Sequence, residues 1–406
     1  MQYQEKLKPG FLPVQGGLFA DVAKADVGES AMRMMQQGVT LLCWADPFFP
    51  DPSTPPHVRQ ALLDAIQTGR DVHYTQPIGS MTLKEKIGQK LMRKGYCIDP
   101  QRNILITPGS DSGLFYAMYP FICPGDEVMV PDPSYPNNFQ NVETMGGALV
   151  RVPLDAANDY ALDISAFEAR LTPKTKMIVL TNPNNPTTTV FSKKNLRTLS
   201  SFVIENDLLL VVDQAFEDII YDERQMTEAA LLPGMWERTL VVCSASKGMG
   251  LSGYRVGYIV ACDAIMDKLY GAAVSVIGAA NTLAQIAAEA AYADDRFIDE
   301  YKAVFDKRRQ YLYHKLSAIP GVRMEMPQSS FLAWVDVSAL GDSAEITALL
   351  AREARCLVND GHSYGRQGEG HIRIVFGCLA DDNALQDAVD RIAAVLLARS
   401  RQVLHP

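Results

Sequence analysis

The chain has 406 residues, 48% of them hydrophobic and 21% charged, with a formal net charge of −9. That length is enough for a large core and two domains, and the acidic balance with no basic run argues against nucleic acid as a partner. Seven cysteines at irregular spacing fit reduced thiols in a cytoplasmic protein and match no zinc pattern, so no metal is expected. No apolar stretch reaches membrane-spanning length, and the first residues carry no signal-peptide segment.

Residues 1 to about 40 read as a mixed arm with Gly16-Gly17 and Gly28, and Leu41 to Pro56 as a proline-rich connector. His57 to Thr68 and Leu83 to Arg93 have helical apolar spacing, with a loop at His73 to Gly79 between them. From Ile104 the chain repeats strand, loop and helix. Strands are predicted at Ile104-Leu-Ile, near Val128 to Val130, from Met177 to Leu180, from Leu208 to Val212, from Leu240 to Cys243 and from Tyr258 to Ala261. Such alternation implies a mostly parallel sheet with both faces covered. Ile265 to Leu316 reads as one long helical stretch with a break near Asp294-Asp295. After Gly321 the pattern becomes α+β: a strand from Ser330 to Val337, a helix from Ala344 to Arg355, a strand from Gly370 to Phe376 and a closing helix from Asp382 to Ala398.

The chemistry concentrates where buried strands end, the edge at which open α/β sheets bind ligands. Lys247 follows the strand 240–243 at once, in Ser244-Ala-Ser-Lys-Gly-Met-Gly, with Arg255 eight residues later. A half-buried lysine there becomes a nucleophile towards carbonyls. The serines, glycine-rich backbone and arginine suit a phosphate monoester, and together they suggest pyridoxal 5′-phosphate. Asp213 closes an apolar run and needs a cationic partner, unless it only caps a helix. Asn185 lies in Asn-Pro-Asn-Asn-Pro-Thr, which is also ordinary turn chemistry. Tyr135, framed by prolines, either stacks on a ring or simply packs. Gly109, Ser110 and Asp111 open a helix whose free N–H groups suit an anion, or merely cap it. Arg373 either clamps a carboxylate or sits on the surface of an edge strand.

These residues resemble the class I/II aminotransferases, the fold-type I enzymes of the aspartate aminotransferase superfamily, from about Leu41 to Leu397. The carriers are the Ser244 to Gly257 stretch, Asn185-Pro186-Thr187, the Asp213 strand, Pro133-Ser-Tyr135, Gly109-Ser110-Asp111, Tyr74 and Arg373, in the family's order. The resemblance implies an α/β fold with a large domain built on a mostly parallel seven-stranded sheet covered by helices, plus a smaller α+β domain. It divides the chain into 1–55 (arm and part of the small domain), 56–290 (large cofactor-binding domain) and 291–406 (small domain).

By that resemblance Lys247 holds pyridoxal phosphate as a Schiff base and shuttles a proton, Asp213 pairs with the ring nitrogen, Asn185 with the ring oxygen, and Tyr135 stacks on the ring. Gly109, Ser110, Asp111, Ser244, Ser246 and Arg255 cradle the phosphate. Arg373 holds the substrate carboxylate, with Asn185 and Trp44 beside the substrate. Tyr74 reaches the phosphate of a neighbouring subunit, which implies a homodimer with shared sites.

Two departures stand out. Phe216 replaces the family's tyrosine three residues after the aspartate, and Gln214 follows the aspartate directly. Trp44-Ala45-Asp46 and Arg373 to Cys378 lean towards the cystathionine β-lyase branch of the fold. The expected activity is transfer of an α-amino group from an L-amino acid to a 2-oxo acid. β-Elimination of a sulfur amino acid, or racemisation, is the alternative, and a non-catalytic cofactor-sensing module a remote third.

Overall fold

A computed structural model of the chain describes residues 29–404. Most of the arm, with Gly16-Gly17 and Gly28, lies outside the described residues. Twelve strands are described: β1 (Thr40–Leu41), β2 (Ile104–Thr107), β3 (Glu127–Asp132), β4 (Ala148–Pro153), β5 (Thr175–Thr181), β6 (Leu209–Asp213), β7 (Thr239–Ser244), β8 (Gly257–Val260), β9 (Leu332–Asp336), β10 (Cys356–Leu357), β11 (Asn359–Asp360) and β12 (His371–Val375).

Seven of them form one sheet in the order β2-β8-β7-β6-β5-β3-β4. Only β8 runs antiparallel to its neighbours, β2 and β7; the other pairings are parallel. Apart from the edge strand β4, the strands are largely buried on both faces, which is why they read as unbroken apolar runs. Along β6, Val211 packs into one core with Val242 and Ile259. Leu210 and Val212 point the other way, into a core with Ile178, Leu180 and Phe202. Helices cover both sides, among them Ser110–Met118, Lys193–Glu205 and Asp263–Val276.

A three-stranded antiparallel sheet, β11-β12-β9, carries its own core with the helices Phe297–Leu316 and Asp382–Leu404. Phe216, Ile219 and Tyr221 reach into this second core from the chain that follows β6. The connector is tied to the same region, because β1 pairs parallel with β10.

Three expectations need adjustment. The stretch from Ile265 is three helices, Asp263–Val276, Thr282–Ala293 and Phe297–Leu316, with an additional break at Ile277. β4 escapes the apolar-run criterion because it is a sheet edge with mostly half-exposed residues, including Arg151. The helix from Ser343 is regular only to Leu349 and continues as a wider turn to Ala354.

Candidate active site

A cleft opens at the carboxyl ends of the large sheet. Its wall collects Ser110 after β2, Tyr135 after β3, Thr181 and Asn185 at the end of β5, Asp213 at the end of β6, and Ser244, Ser246 and Lys247 at the end of β7. Residues that are distant in sequence meet because parallel strands present the same end to one crevice.

One end of the cavity is built for an anion. The helix Ser110–Met118 begins after Gly109 with no side-chain cap, so its first N–H groups remain available. Arg255 lies across this helix start: Nη1 donates to Ser246 Oγ (3.4 Å) and to the Ser252 carbonyl (2.8 Å), and Nη2 stands 3.8 Å from Asp111 Oδ2. The approach depends on two glycines. A Cβ on Gly109, whose φ is +83°, would stand 2.4 Å from Arg255 Nη2. A Cβ on Gly257 would stand 2.7 Å from Ser110 N and from the Cys243 carbonyl oxygen. Asp111 in turn accepts from Tyr135 Oη (2.9 Å) and Asn137 Nδ2 (2.8 Å), which fixes the Tyr135 ring on the wall.

Asp213 is fully enclosed. Its Oδ1 accepts from the Ala215 N–H (3.1 Å) and its Oδ2 from Thr181 Oγ1 (3.4 Å). Burial pushes its pKa up to about 7; the Ala215 N–H opposes this, and the nearby Asp111 charge adds to it. No helix begins at Asp213, which is followed by a turn over residues 215–218, so the Ala215 N–H contact is a turn contact and not a helix cap. A carboxyl poised between its two forms on a cavity wall is suited to receive a cationic group.

Lys247 is half-buried, with Nζ donating to the Ala45 carbonyl oxygen and lying 6.0 Å from the Phe216 ring centroid. Phe216 lines the cavity with one face and packs edge-on against Phe331 (5.5 Å) with the rest. Gln214 turns away from the cavity: Nε2 donates to Glu228 Oε2 (2.9 Å) within a buried ionic cluster. There Lys90 and Lys94 hold the Glu217 carboxyl below the usual carboxylate range despite its burial. Gln214 is therefore no substitute for the missing tyrosine hydroxyl.

Arg373 is completely buried in the central strand of the small sheet, not at an edge. Nε and Nη2 donate to Asn359 Oδ1 (3.0 and 2.8 Å), Nη2 to the Cys43 carbonyl (3.0 Å) and Nη1 to Asn185 Oδ1 (3.1 Å). Asn185 thus joins the cavity wall to the arginine behind it. Trp44 rests on Phe49 (centroids 4.6 Å apart), and its neighbour Ala45 supplies the wall. Tyr74 is not brought to the cavity; it projects from the protein, 97% exposed. Sequence reasoning missed Ala45 and Thr181. Thr181 carried a usable signal, as the last polar residue of a buried strand.

The family model for aminotransferase class I and II matches residues 38–392. Aromatic-amino-acid aminotransferase 2 of Thermococcus litoralis is 30% identical, over 86% of this chain and 90% of its own length. Aspartate aminotransferase of Pyrococcus abyssi gives the same identity and coverage. Among solved structures, aspartate aminotransferase from Thermus thermophilus with maleate superimposes with a TM-score of 0.85 at 26% identity, covering 96% of this chain and 99% of that one.

Proposed function

The chain belongs to the class I and II aminotransferases and is a pyridoxal 5′-phosphate-dependent aminotransferase, and we propose that it moves the α-amino group of an L-amino acid to a 2-oxo acid in two half-reactions at the Lys247 cavity. The observation that carries this reading is the convergence on one wall of a nucleophilic lysine, an anion cradle and a buried carboxyl with its pKa near 7.

The residues present fit the cofactor. Ser110, Ser244, Ser246, Arg255 and the helix start after Gly109 would take its phosphate, with Asp111 orienting Tyr135 and Arg255 around it. Asp213 would meet the ring nitrogen, and Tyr135 the ring face. When bound, pyridoxal phosphate supplies a reactive aldehyde and an electron-accepting ring. Lys247 would hold it covalently through Nζ, and the freed amine would carry the proton from the substrate α-carbon to the cofactor's C4′ carbon. Asp213, paired with a cation, would stay ionised and would favour the protonated ring nitrogen. Asn185 and Arg373 fix the substrate carboxylate, which orients the bond to be broken. Ala45 and Phe216 narrow the remaining wall.

The same reading extends to assembly. The loop bearing Tyr74 is held to the protein by Thr282 Oγ1 on the His73 carbonyl (2.6 Å) and Gln285 Nε2 on Thr75 Oγ1 (2.7 Å), yet Tyr74 and Val72 project into solvent. Tyr270, Val274 and Val276 are exposed on the nearby helix Asp263–Val276. A second copy covering this face, with Tyr74 completing its phosphate site, gives a homodimer with shared sites. Among the described residues no helix is long and apolar enough to cross a membrane, and we place the enzyme in the cytoplasm. The large unit spans 56–290, and the small one 291–406 with the connector.

The test is to incubate holoprotein with a panel of L-amino acids. Pyridoxamine phosphate, free ammonia with oxo acid, and substrate chirality are followed in parallel. Stoichiometric pyridoxamine phosphate without ammonia supports transamination. Ammonia, 2-oxo acid and thiol released together from sulfur amino acids, without pyridoxamine phosphate, would replace it with β-elimination.

A further inference from the structure

Asp132, the last residue of β3, is buried at 2% exposure and does not touch the cavity. Its carboxylate points at the small sheet's side of the molecule. Oδ2 accepts from the Arg366 N–H (3.0 Å) and Oδ1 from the Gln367 N–H (3.0 Å). Arg151 Nη1 donates to Oδ2 from the neighbouring β4 (3.2 Å). The fit leaves no space: Gly365 has φ +126°, and a Cβ on it would stand 2.1 Å from Asp132 Oδ1. Two residues on, the Ser134 N–H donates to the Tyr364 carbonyl (2.9 Å), so the same turn is held twice.

That turn carries Tyr364, which is wholly buried and lies under the Arg373 guanidinium, 4.7 Å from ring centroid to Cζ. Trp334 braces the other side of the ring edge-on at 5.8 Å. A planar cation on an aromatic face is fixed in tilt as well as position. The large sheet therefore grips the turn, the turn sets the ring, and the ring sets the arginine plane.

We propose that Asp132 is a positioning residue for substrate carboxylate binding, acting through Tyr364 on Arg373. The inference rests on the reading of Arg373 as the carboxylate clamp. Two backbone N–H groups and one guanidinium converge on a carboxylate that contacts neither the cavity nor its ligands. Loosening it releases the Tyr364 turn and lets the Arg373 plane rotate off the angle a carboxylate requires. At the phosphate end, Ser110, Ser244, Ser246 and Arg255 make no hydrogen bond to the Asp132 carboxylate, whose partners are Arg366 N, Gln367 N and Arg151 Nη1.

The experiment compares Asp132→Asn, Arg151→Met, Tyr364→Leu and Arg373→Ala holoproteins. For each, the Kd of an unreactive α-methyl amino acid is read by spectral titration, alongside cofactor affinity, kcat and KM. Asp132→Asn is expected to weaken the α-methyl ligand and raise KM about tenfold, the size of one charge-assisted hydrogen bond. Cofactor affinity should stay within about twofold and kcat change less than KM. Arg151→Met, which keeps the backbone contacts, should give a smaller shift in the same direction and decides the matter if Asp132→Asn does not fold. Unchanged ligand Kd in Asp132→Asn and Tyr364→Leu, with Arg373→Ala strongly weakened, would overturn the inference alone. An unchanged Kd in Arg373→Ala would overturn the clamp itself. Equal losses of ligand and cofactor would reduce Asp132 to a general structural role.

Discussion

Replacing Asp213 with asparagine in the cofactor-free protein should stabilise it at neutral pH and do almost nothing below about pH 4. The carboxyl is buried, and its pKa rises from an ordinary 3.8 to about 7. The folded protein therefore holds the proton more tightly than the unfolded chain does. With that sign, the contribution of this carboxyl to stability is greatest below about pH 4, falls as pH rises and levels off above about 7. At about 1.4 kcal/mol per pH unit, the whole fall is about 4 kcal/mol, and the part between pH 5 and 7 about 2 kcal/mol, because the slope halves at the folded pKa. Asparagine has nearly the same shape, keeps an acceptor for the Ala215 N–H and never ionises. Urea unfolding of cofactor-free wild type and Asp213→Asn from pH 4 to 8 should give curves that draw together towards the acid end. The variant should be more stable by a few kcal/mol at pH 8. Parallel curves across the range would refute the reasoning, since they would mean that the Asp213 site already stabilises the charge. With cofactor bound the order should reverse, because only the carboxylate can pair with a cationic ring nitrogen.

Gly109→Ala should weaken cofactor binding at least about tenfold, because the new Cβ meets Arg255 Nη2 and the φ of +83° is strained for alanine; equilibrium dialysis with unchanged affinity would show that the guanidinium shifts freely. Phe216→Tyr adds a donor on the wall beside Lys247, so the pH at which the holoprotein's visible band changes should drop by about one unit, one neutral hydrogen bond being roughly 1 kcal/mol. Identical titrations would leave Phe216 as packing against Phe331 only. Mixing Lys247→Ala with Tyr74→Phe protein should restore activity through heterodimers with one intact site, and no recovery after verified subunit exchange contradicts the shared site.

The cavity was largely readable from the sequence because its residues sit at strand ends. A buried strand announces itself as an apolar run, and the first polar residues after it must face the crevice: Tyr135, Asn185, Asp213, Ser244, Ser246 and Lys247 were found in this way, and all line it. What stayed hidden depends on partners far along the chain. Arg373 reads like a surface residue on a short strand, and only the pairing of β12 between β11 and β9 buries it. Gln214 looks like a donor beside the aspartate until Glu228, fourteen residues later, draws its amide into the ionic cluster. Phe216 divides itself between the cavity and the second core, which periodicity cannot express. Asp132 appeared only as the residue before Pro133-Ser-Tyr135, since nothing in its neighbourhood announces a turn more than two hundred residues away.

The central claim, that Lys247 is the residue to which the cofactor attaches, is tested most directly by reducing the yellow holoprotein with borohydride and mapping the labelled peptide. The account predicts one phosphopyridoxyl group per subunit, on Lys247 in the Ser244 to Gly257 stretch, and no label in Lys247→Ala. A stoichiometric label on any other lysine would contradict it.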